Sequence, residues 1–439
     1  MQSRKKVGMV SLGCSKNRVD SEMLLGQLAR HGYEICADPS EAEMIFVNTC
    51  GFIESAKAES IEAIFEMAEY KKTGKLKKLF VTGCLAQRYA DELRSEIPEI
   101  DALMGVAEYD RLLEAIERTE AGERPLMCGE SNRFYEGARI LTTPSYSAYI
   151  KISDGCNNQC SYCAIPLIRG PYRSRQMDSI ERECEALSAG GASELTLIAQ
   201  DTSRYGNDFP EGKRLLPELL ERVHAMEPVH WLRVLYCYPD TVDERLLDTI
   251  AALPKAAKYL DLPLQHIDAD MLRAMNRRGS PEYIRQLIEA CNVRGISVRT
   301  TMIVGFPGET DAQFEALCEF VKWARFRRLG AFAYSPEEGT KGASMSGQID
   351  EEVKQKRLDA LMMLQQGISL ELNEARIGET CELLVEGQED GEYIARSLLE
   401  APEVDGVVRL ASQERIAMGS YVKAHIIGAD AYDLQARLV

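Results

Sequence analysis

No stretch of the chain approaches the ~20 apolar residues that a membrane span requires, and no helical span is expected. The opening Met1-Gln2-Ser3-Arg4-Lys5-Lys6 leads into a strand-like segment too short and too mixed for a signal peptide, so the expected setting is soluble and cytoplasmic. Positive charge is in deficit: 52 Lys and Arg face 69 Asp and Glu, a net of −17. The molecule as a whole therefore repels nucleic acid and favours basic partners. The 13 cysteines lack the spacing of a small secreted disulfide scaffold. In a long chain of this kind they point to metal or catalysis. With 439 residues, 45% apolar and 28% charged, disorder, collagen and a coiled-coil rod are excluded, and two or three domains are expected.

From residue 7 to about 118, short apolar runs alternate with helical segments, the pattern of an open parallel sheet flanked by helices. Val7–Val10, Met44–Val47, Leu79–Val81 and Ala102–Met104 read as strands; residues 18–30, 55–71, 88–96 and 108–118 read as helices. Loops at the carboxyl ends of such strands form the ligand crevice. Three cysteines fall there: Cys14 in Leu12-Gly13-Cys14-Ser15-Lys16-Asn17, Cys50 in Asn48-Thr49-Cys50-Gly51-Phe52, and Cys84 in Thr82-Gly83-Cys84-Leu85-Ala86-Gln87. One such cysteine would read as a small buried apolar residue. Three of them, each beside a Gly or Thr, read as a ligand set, because adjacent parallel strands lie ~5 Å apart.

The sharpest signal is Cys156-Asn157-Asn158-Gln159-Cys160-Ser161-Tyr162-Cys163, just after the strand Ala148–Ile152. A fourth cysteine is missing. Zinc sites normally use paired Cys-x2-Cys units totalling four ligands, whereas three thiolates hold three corners of a four-iron cubane and leave one iron open. Further strands are read at 195–198, 232–235, 259–262, 298–303 and 330–333, with helices between them near 178–189, 215–227, 242–253, 281–294 and 311–326. Polar residues gather after the strands, at Gln200-Asp201-Thr202, Gln265-His266 and Gly305-Phe306-Pro307-Gly308-Glu309. Thr310-Asp311-Ala312-Gln313 reads as a capping box, and Cys184, Cys291 and Cys318 recur at helical spacing with apolar residues and read as core. His266 reads as a hydrogen-bonding group near a substrate or a satisfied turn residue. Arg169, Arg173 and Arg175 read either as steering charges or as a solvated run.

A helix over 351–372 leads to five short strands at 381–385, 392–395, 406–410, 421–427 and 432–436, a small barrel of OB-like type. From Asn373 to Val439 there are thirteen acidic against six basic residues, so the cationic track an RNA-binding barrel needs is lacking by count. An acidic face suits a lysine- and arginine-rich protein.

The three-cysteine loop with Tyr162 resembles the signature of the radical S-adenosylmethionine (SAM) superfamily. Together with the amino-terminal cysteines and a tail resembling the TRAM domain, the whole chain resembles the methylthiotransferase family. Ile152-Ser153-Asp154-Gly155-Cys156, Leu260-Asp261-Leu262-Pro263-Leu264-Gln265-His266 and Gly330–Thr340 resemble its branch acting on an aspartate of the small-subunit ribosomal protein numbered twelve. The other branch acts on a tRNA adenosine.

The resemblance implies an amino-terminal α/β domain (residues 4–118), a radical SAM partial (β/α)6 barrel (142–371) and a TRAM barrel (373–439). It implies two 4Fe-4S clusters, one on Cys14, Cys50 and Cys84 and one on Cys156, Cys160 and Cys163, with SAM met by Tyr162, Glu194 and Gly305. No catalytic residue beyond the cluster ligands is implied. The expected activity is SAM-dependent radical methylthiolation of an aspartate β-carbon in the basic ribosomal protein. Electrons would come from a reducing partner such as flavodoxin or ferredoxin, and neither a membrane nor direct tRNA binding is expected. The alternatives are the tRNA-modifying reaction, a non-catalytic iron–sulfur scaffold or sulfur carrier, and a zinc-stabilised adaptor.

Overall fold

A computed structural model describes residues 4–130 and 134–439; Met1, Gln2 and Ser3 of the opening segment lie outside the described residues. The chain divides into two compact units. The first takes the chain up to Thr142 and adds Ser153–Arg175 and Ser335–Ala343; the second takes the remainder.

The first unit is built on strands β1 (Lys6–Ser11), β2 (Glu34–Ile35), β3 (Met44–Thr49), β4 (Lys78–Gly83), β5 (Ala102–Met104) and β6 (Leu126–Met127), in the order β2-β1-β3-β4-β5-β6, all pairs parallel. All six residues of β3 are buried, as a strand covered on both faces demands. Alternation divides the side chains. Met44, Phe46 and Phe80 pack with Leu24 and Leu28 of α1 (Ser15–Arg30), while Ile45, Val47, Leu79 and Val81 pack with Ile64 and Met67 of α2 (Glu54–Thr73). The expected helix over 88–96 forms as α4 (Ala90–Glu96), and an additional short helix, α3 (Cys84–Arg88), precedes it across Tyr89. The last helix of this stretch, α5, is Leu112–Glu120, and the two-residue strands β2 and β6 were too short to show a period in the sequence.

After β7 (Ser147–Lys151), which belongs to the second unit, the chain contributes β8 (Ser153–Asp154), α6 (Ile165–Arg169) and β9 (Arg173–Ser174) to the first. β8 and β9 pair antiparallel and close the base of the cysteine loop.

The second unit holds the remaining expected parallel strands: β10 (Glu194–Ile198), β11 (Trp231–Val234), β12 (Tyr259–Gln265), β13 (Ser297–Val304) and β14 (Arg328–Ala333). They form two three-stranded runs, β11-β10-β7 and β12-β13-β14. The Cys237 N–H, which donates to the Asp261 carbonyl at 2.9 Å, joins the runs. Helices α7 (Met177–Ala189), α8 (Leu216–His224), α9 (Glu244–Ala252), α10 (Ala269–Ala274), α11 (Pro281–Val293) and α12 (Asp311–Ala324) connect them. The Thr310–Gln313 capping box forms as expected at the start of α12. Cys184 and Cys291 are fully buried, as core cysteines should be, and Cys318 is half-buried.

Helix α13 (Glu351–Glu374) leads to β15 (Thr380–Glu389), β16 (Glu392–Ser397), β17 (Val408–Ala411), β18 (Tyr421–Ala429) and β19 (Leu434–Leu438), a closed barrel in the order β15-β16-β17-β19-β18. Alternate residues Leu383, Val385, Tyr393, Ala395, Val408, Leu410, Ala424 and Ile426 fill it. No helix among the described residues is long and apolar enough to cross a membrane.

Within the second unit, Arg396 of β16 forks onto Glu194 at the amino end of β10, with Nη2–Oε2 2.6 Å and Nη1–Oε1 3.2 Å. Burial alone would raise the Glu194 carboxyl, but Arg396, supported by Arg233 and Ser147, outweighs it and holds the group below the ordinary range. A depressed folded pKa stabilises fully above the ordinary glutamate value near 4.3, and the contribution is lost as pH falls towards the folded value. Replacing Arg396 by Met should cost on the order of 3–5 kcal/mol at pH 7, since it strands a buried carboxylate. Urea denaturation should show the deficit shrinking at acid pH, where Glu194 is protonated.

Candidate functional site

The three amino-terminal cysteines follow three neighbouring strands. Cys14 lies three residues beyond β1 and caps α1, Cys50 directly follows β3, and Cys84 directly follows β4. The strand order changes direction at the β1–β3 junction, where open α/β sheets carry their ligand crevice. Asn17 fixes that junction: its buried amide donates to the carbonyls of Leu12 at 2.7 Å and of Asn48 and Thr49 at 3.3 Å, tying the ends of β1 and β3 together. Ser60 of α2 both accepts from the Cys50 N–H and donates to its carbonyl, each at 3.0 Å.

Glycines bring the loops close enough. A Cβ on Gly13 would stand 2.8 Å from Cys50 Cβ and 3.0 Å from its Sγ. Gly83, at φ +96° and ψ −157°, occupies backbone space reserved for glycine, and a Cβ there would lie 2.3 Å from Asn48 Oδ1.

The thiols influence one another. Burial, and after it the neighbouring Cys84 and Cys14, push Cys50 up to about 12. Burial also raises Cys84, against the opposing pull of Arg169. For Cys14 burial pushes up as well, but Lys16, Arg169 and the backbone N–H groups of Asn17 and Lys16 outweigh it and set the thiol below its ordinary value. Cys14 is exposed, Cys50 half-buried and Cys84 buried.

The second cysteine set also belongs to the first unit. Cys156, Cys160 and Cys163 are all half-buried. The Cys156 N–H donates to the Gly170 carbonyl at 3.1 Å, the Cys163 N–H to the Cys160 carbonyl at 3.0 Å, and Asn157 Oδ1 accepts the Tyr172 N–H at 3.0 Å. Gly155, at φ +78°, lies so close to the Pro171 carbonyl that a Cβ would come within 2.1 Å of it.

Arg169, at the end of α6 and 1% exposed, connects the two sets. Its Nη1 contacts Asp20 Oδ2 at 2.6 Å and Asp154 Oδ2 at 3.4 Å; its Nη2 donates to Asn17 Oδ1 at 3.3 Å and to Cys84 Sγ at 3.5 Å. Burial alone would lower its pKa, and Asp20, Cys84 and Asp154 more than offset that, so it stays charged. Arg88 of α3 makes a second tie, donating to the Gly51 carbonyl at 3.0 Å and to Glu337 Oε2 at 3.0 Å. Residues 335–343 form a strap from there to the second loop, where the Gly342 N–H donates to the Ser161 carbonyl at 2.6 Å.

All six predicted cysteine ligands, with half-buried Tyr162, therefore fall in the first unit. Gly305 and Glu194 fall in the second. Gly305, at φ +72°, turns after β13, and its N–H donates to Glu309 Oε2 at 2.7 Å; Arg357 and His266 hold the same carboxylate at 2.6 and 3.2 Å. Glu194 departs from expectation: it lies at the amino end of β10, away from the carboxyl-end loops, with its carboxylate taken up by Arg396 and Ser147. Sequence reasoning missed Asn17, Asp20, Arg88 and Glu337, and left Arg169 undecided. Their sequence signal was weak, since nothing in a polar residue's spelling shows that it will be buried.

The donor chemistry fits an iron–sulfur group better than a lone ion. Cys50 and Cys84, each raised by burial and by a neighbouring thiol, hold as thiolates only against a compensating positive centre. Among the described residues no three His, Cys, Asp or Glu close around a single ion, so the case rests on the donor set and the close approach of the loops at Gly13 and Gly83.

Residues 6–105 match the model of uncharacterized protein family UPF0004, residues 150–321 that of the radical SAM superfamily and residues 377–439 that of the TRAM domain. Among solved structures, the chain resembles the radical S-adenosylmethionine methyltransferase TsrM from Kitasatospora setae (TM-score 0.58, 16% identity, 92% of this chain and 83% of that one). It also resembles the cobalamin-dependent S-adenosylmethionine radical enzyme OxsB (TM-score 0.54, 11% identity, 83% and 56%). At these identities the likeness is one of fold, and the class it defines with the three family models is a radical SAM protein with a TRAM barrel. Ribosomal protein uS12 methylthiotransferase RimO from Clostridium botulinum is 48% identical over 433 residues, covering 98% of this chain and 97% of the relative. The proteins of that name from Thermoanaerobacter sp. and Caldicellulosiruptor saccharolyticus are 47% and 46% identical, covering 98% and 99% of this chain and 99% and 100% of the relatives. The chain belongs to the RimO family of uS12 methylthiotransferases.

Gly83 offers a direct check of the site's backbone. Gly83→Ala should lower stability by about 1–3 kcal/mol and displace Cys84. Denaturant titration, together with a reduced iron content after reconstitution in matched samples, reads both effects.

Proposed function

We propose that this chain is a radical SAM methylthiotransferase that attaches a methylthio group to the β-carbon of an aspartate in ribosomal protein uS12. The observation that carries the reading is the presence of two three-cysteine sets in one compact unit, joined through Arg169, in a chain akin to the RimO proteins along its length. Cys14, Cys50 and Cys84 would hold one 4Fe-4S cluster, and Cys156, Cys160 and Cys163 the other. Bound there, the clusters would supply reductive cleavage of SAM and a source or carrier of sulfur, the chemistry that an unactivated C–H bond requires.

The protein's own part is positional. Asn17 and Ser60 fix the strand ends that carry Cys14 and Cys50, the β8–β9 pair and Gly155 shape the second loop, and the strap from Glu337 to Gly342 fastens the loops to one another. Tyr162 and the turn at Gly305 are the proposed SAM contacts. We assign the chain to domains 4–118, 142–371 and 373–439, with electrons delivered by a flavodoxin- or ferredoxin-like partner. The carboxyl-terminal barrel, net acidic by count, suits a basic ribosomal protein better than tRNA.

Anaerobic reconstitution should give close to eight irons per chain and a brown protein. Alanine at Cys156, Cys160 and Cys163 together should abolish 5′-deoxyadenosine formation from SAM. Alanine at Cys14, Cys50 and Cys84 should leave some cleavage but no methylthio product. Mass spectrometry of ribosomal proteins and of tRNA nucleosides from cells lacking the gene decides the substrate: loss of the tRNA modification with uS12 intact would overturn the assignment.

A further inference from the structure

The first unit buries an arginine directly against a cysteine that the proposed function treats as an iron ligand. Arg169 is 1% exposed, Asp20 fully buried and Asn17 1% exposed, so this charge is enclosed by protein. Its planar fork is divided: Nη1 faces the carboxylates of Asp20 and Asp154, and Nη2 faces Asn17 Oδ1 and Cys84 Sγ. Asn17 in turn fixes the ends of β1 and β3, and Asp154 opens the second cysteine loop. One guanidinium thus touches the strand junction behind Cys14, the sulfur of Cys84 and the base of the Cys156 loop. A lysine would bring a single point of charge and could not reach both sides of the fork.

We propose that Arg169 is a positioning residue of the sulfur site: it donates an N–H···S hydrogen bond to Cys84, sets the charge felt by the iron–sulfur group on Cys14, Cys50 and Cys84, and locks the second cysteine loop to the first. Hydrogen bonds to ligand sulfur and nearby positive charge favour the reduced, more negative form of such a group and raise its reduction potential. Asp20, paired with the same guanidinium, opposes that effect. The two residues therefore act on the potential with opposite signs, which a purely structural pair would not do. This inference rests on the reading of the first cysteine set as an iron–sulfur site.

The test uses the full chain with Cys156, Cys160 and Cys163 changed to Ala, so that the first set alone is loaded, and follows an electron paramagnetic resonance redox titration after anaerobic reconstitution. Arg169→Gln should move the midpoint to more negative values and Asp20→Asn to more positive ones, with Arg169→Lys falling between wild type and Arg169→Gln. Should Arg169→Gln alone fold poorly with Asp20 left unpaired, Arg169→Gln combined with Asp20→Asn leaves the pocket's net charge unchanged, and its midpoint should lie below that of Asp20→Asn. A loaded background whose midpoint is unmoved by these changes, or moves the same way for both residues, overturns the role of Arg169 and leaves the cluster reading standing. A background that takes up no iron and sulfide overturns the reading beneath it.

Discussion

A parallel sheet delivers every strand's carboxyl end to one edge, and the arrangement of the cysteines follows from that constraint. β1, β3 and β4 are consecutive neighbours in register, so residues 14, 50 and 84 come to the same edge of the sheet although more than thirty positions separate each from the next. Register matters as much as order. A one-residue slip would exchange the two faces of every strand, turning Phe46 and Phe80 away from α1 and Val47 away from α2. The core that holds the helices therefore also holds the thiols in place, and the site inherits its accuracy from burial on both faces of β3 and β4.

Packing sets position, but charge decides what the site can hold. Burial and the neighbouring thiols make Cys50 and Cys84 resist ionisation. The fold answers with cations on the protein side: Lys16 near Cys14 and Arg169 against Cys84. Burying Arg169 is tolerable because Asp20 and Asp154 sit beside it, and burying Asp20 is tolerable because of Arg169. The Arg88–Glu337 pair repeats the device at the strap, with both groups nearly buried. In each case an ion pair does two jobs, neutralising its members and connecting segments that are remote in sequence.

The strands and helices were legible because their periods are written in apolar residues: all six parallel strands that continue from β7 to β14 lie within a few residues of their expected places, and so do the five strands of the barrel. The break at Tyr89 and the two-residue strands were not legible, since neither leaves a period to count. The cysteine triplets stand out by spacing, and the fold carries both into the first unit. What sequence could not show was sharing: that residues 153–175 and 335–343 join the first unit, and that Arg169 in Arg169-Gly170-Pro171-Tyr172-Arg173 turns inward rather than lining a solvated face. Burial of a polar residue is decided by partners far away in the chain, such as Asp20, and the local pattern carries no record of them.

Two arginines show how such buried charges can be told apart. Arg396 and Arg169 are both enclosed, and both pair with buried carboxylates. Every hydrogen-bond partner of Arg396 is an oxygen, on Glu194, Glu386 and the Glu400 carbonyl, and its chief partner lies at the amino end of a strand. That is a closed arrangement in which the Glu194 carboxylate joins strand and barrel. Arg169 sits at the carboxyl-end edge and spends one side of its fork on sulfur, an acceptor weaker than the oxygens available to it. A side chain that accepts a weaker partner while fully buried is constrained by the placement of that partner, so the sulfur, and not the ion pair, is the reason to look for function there.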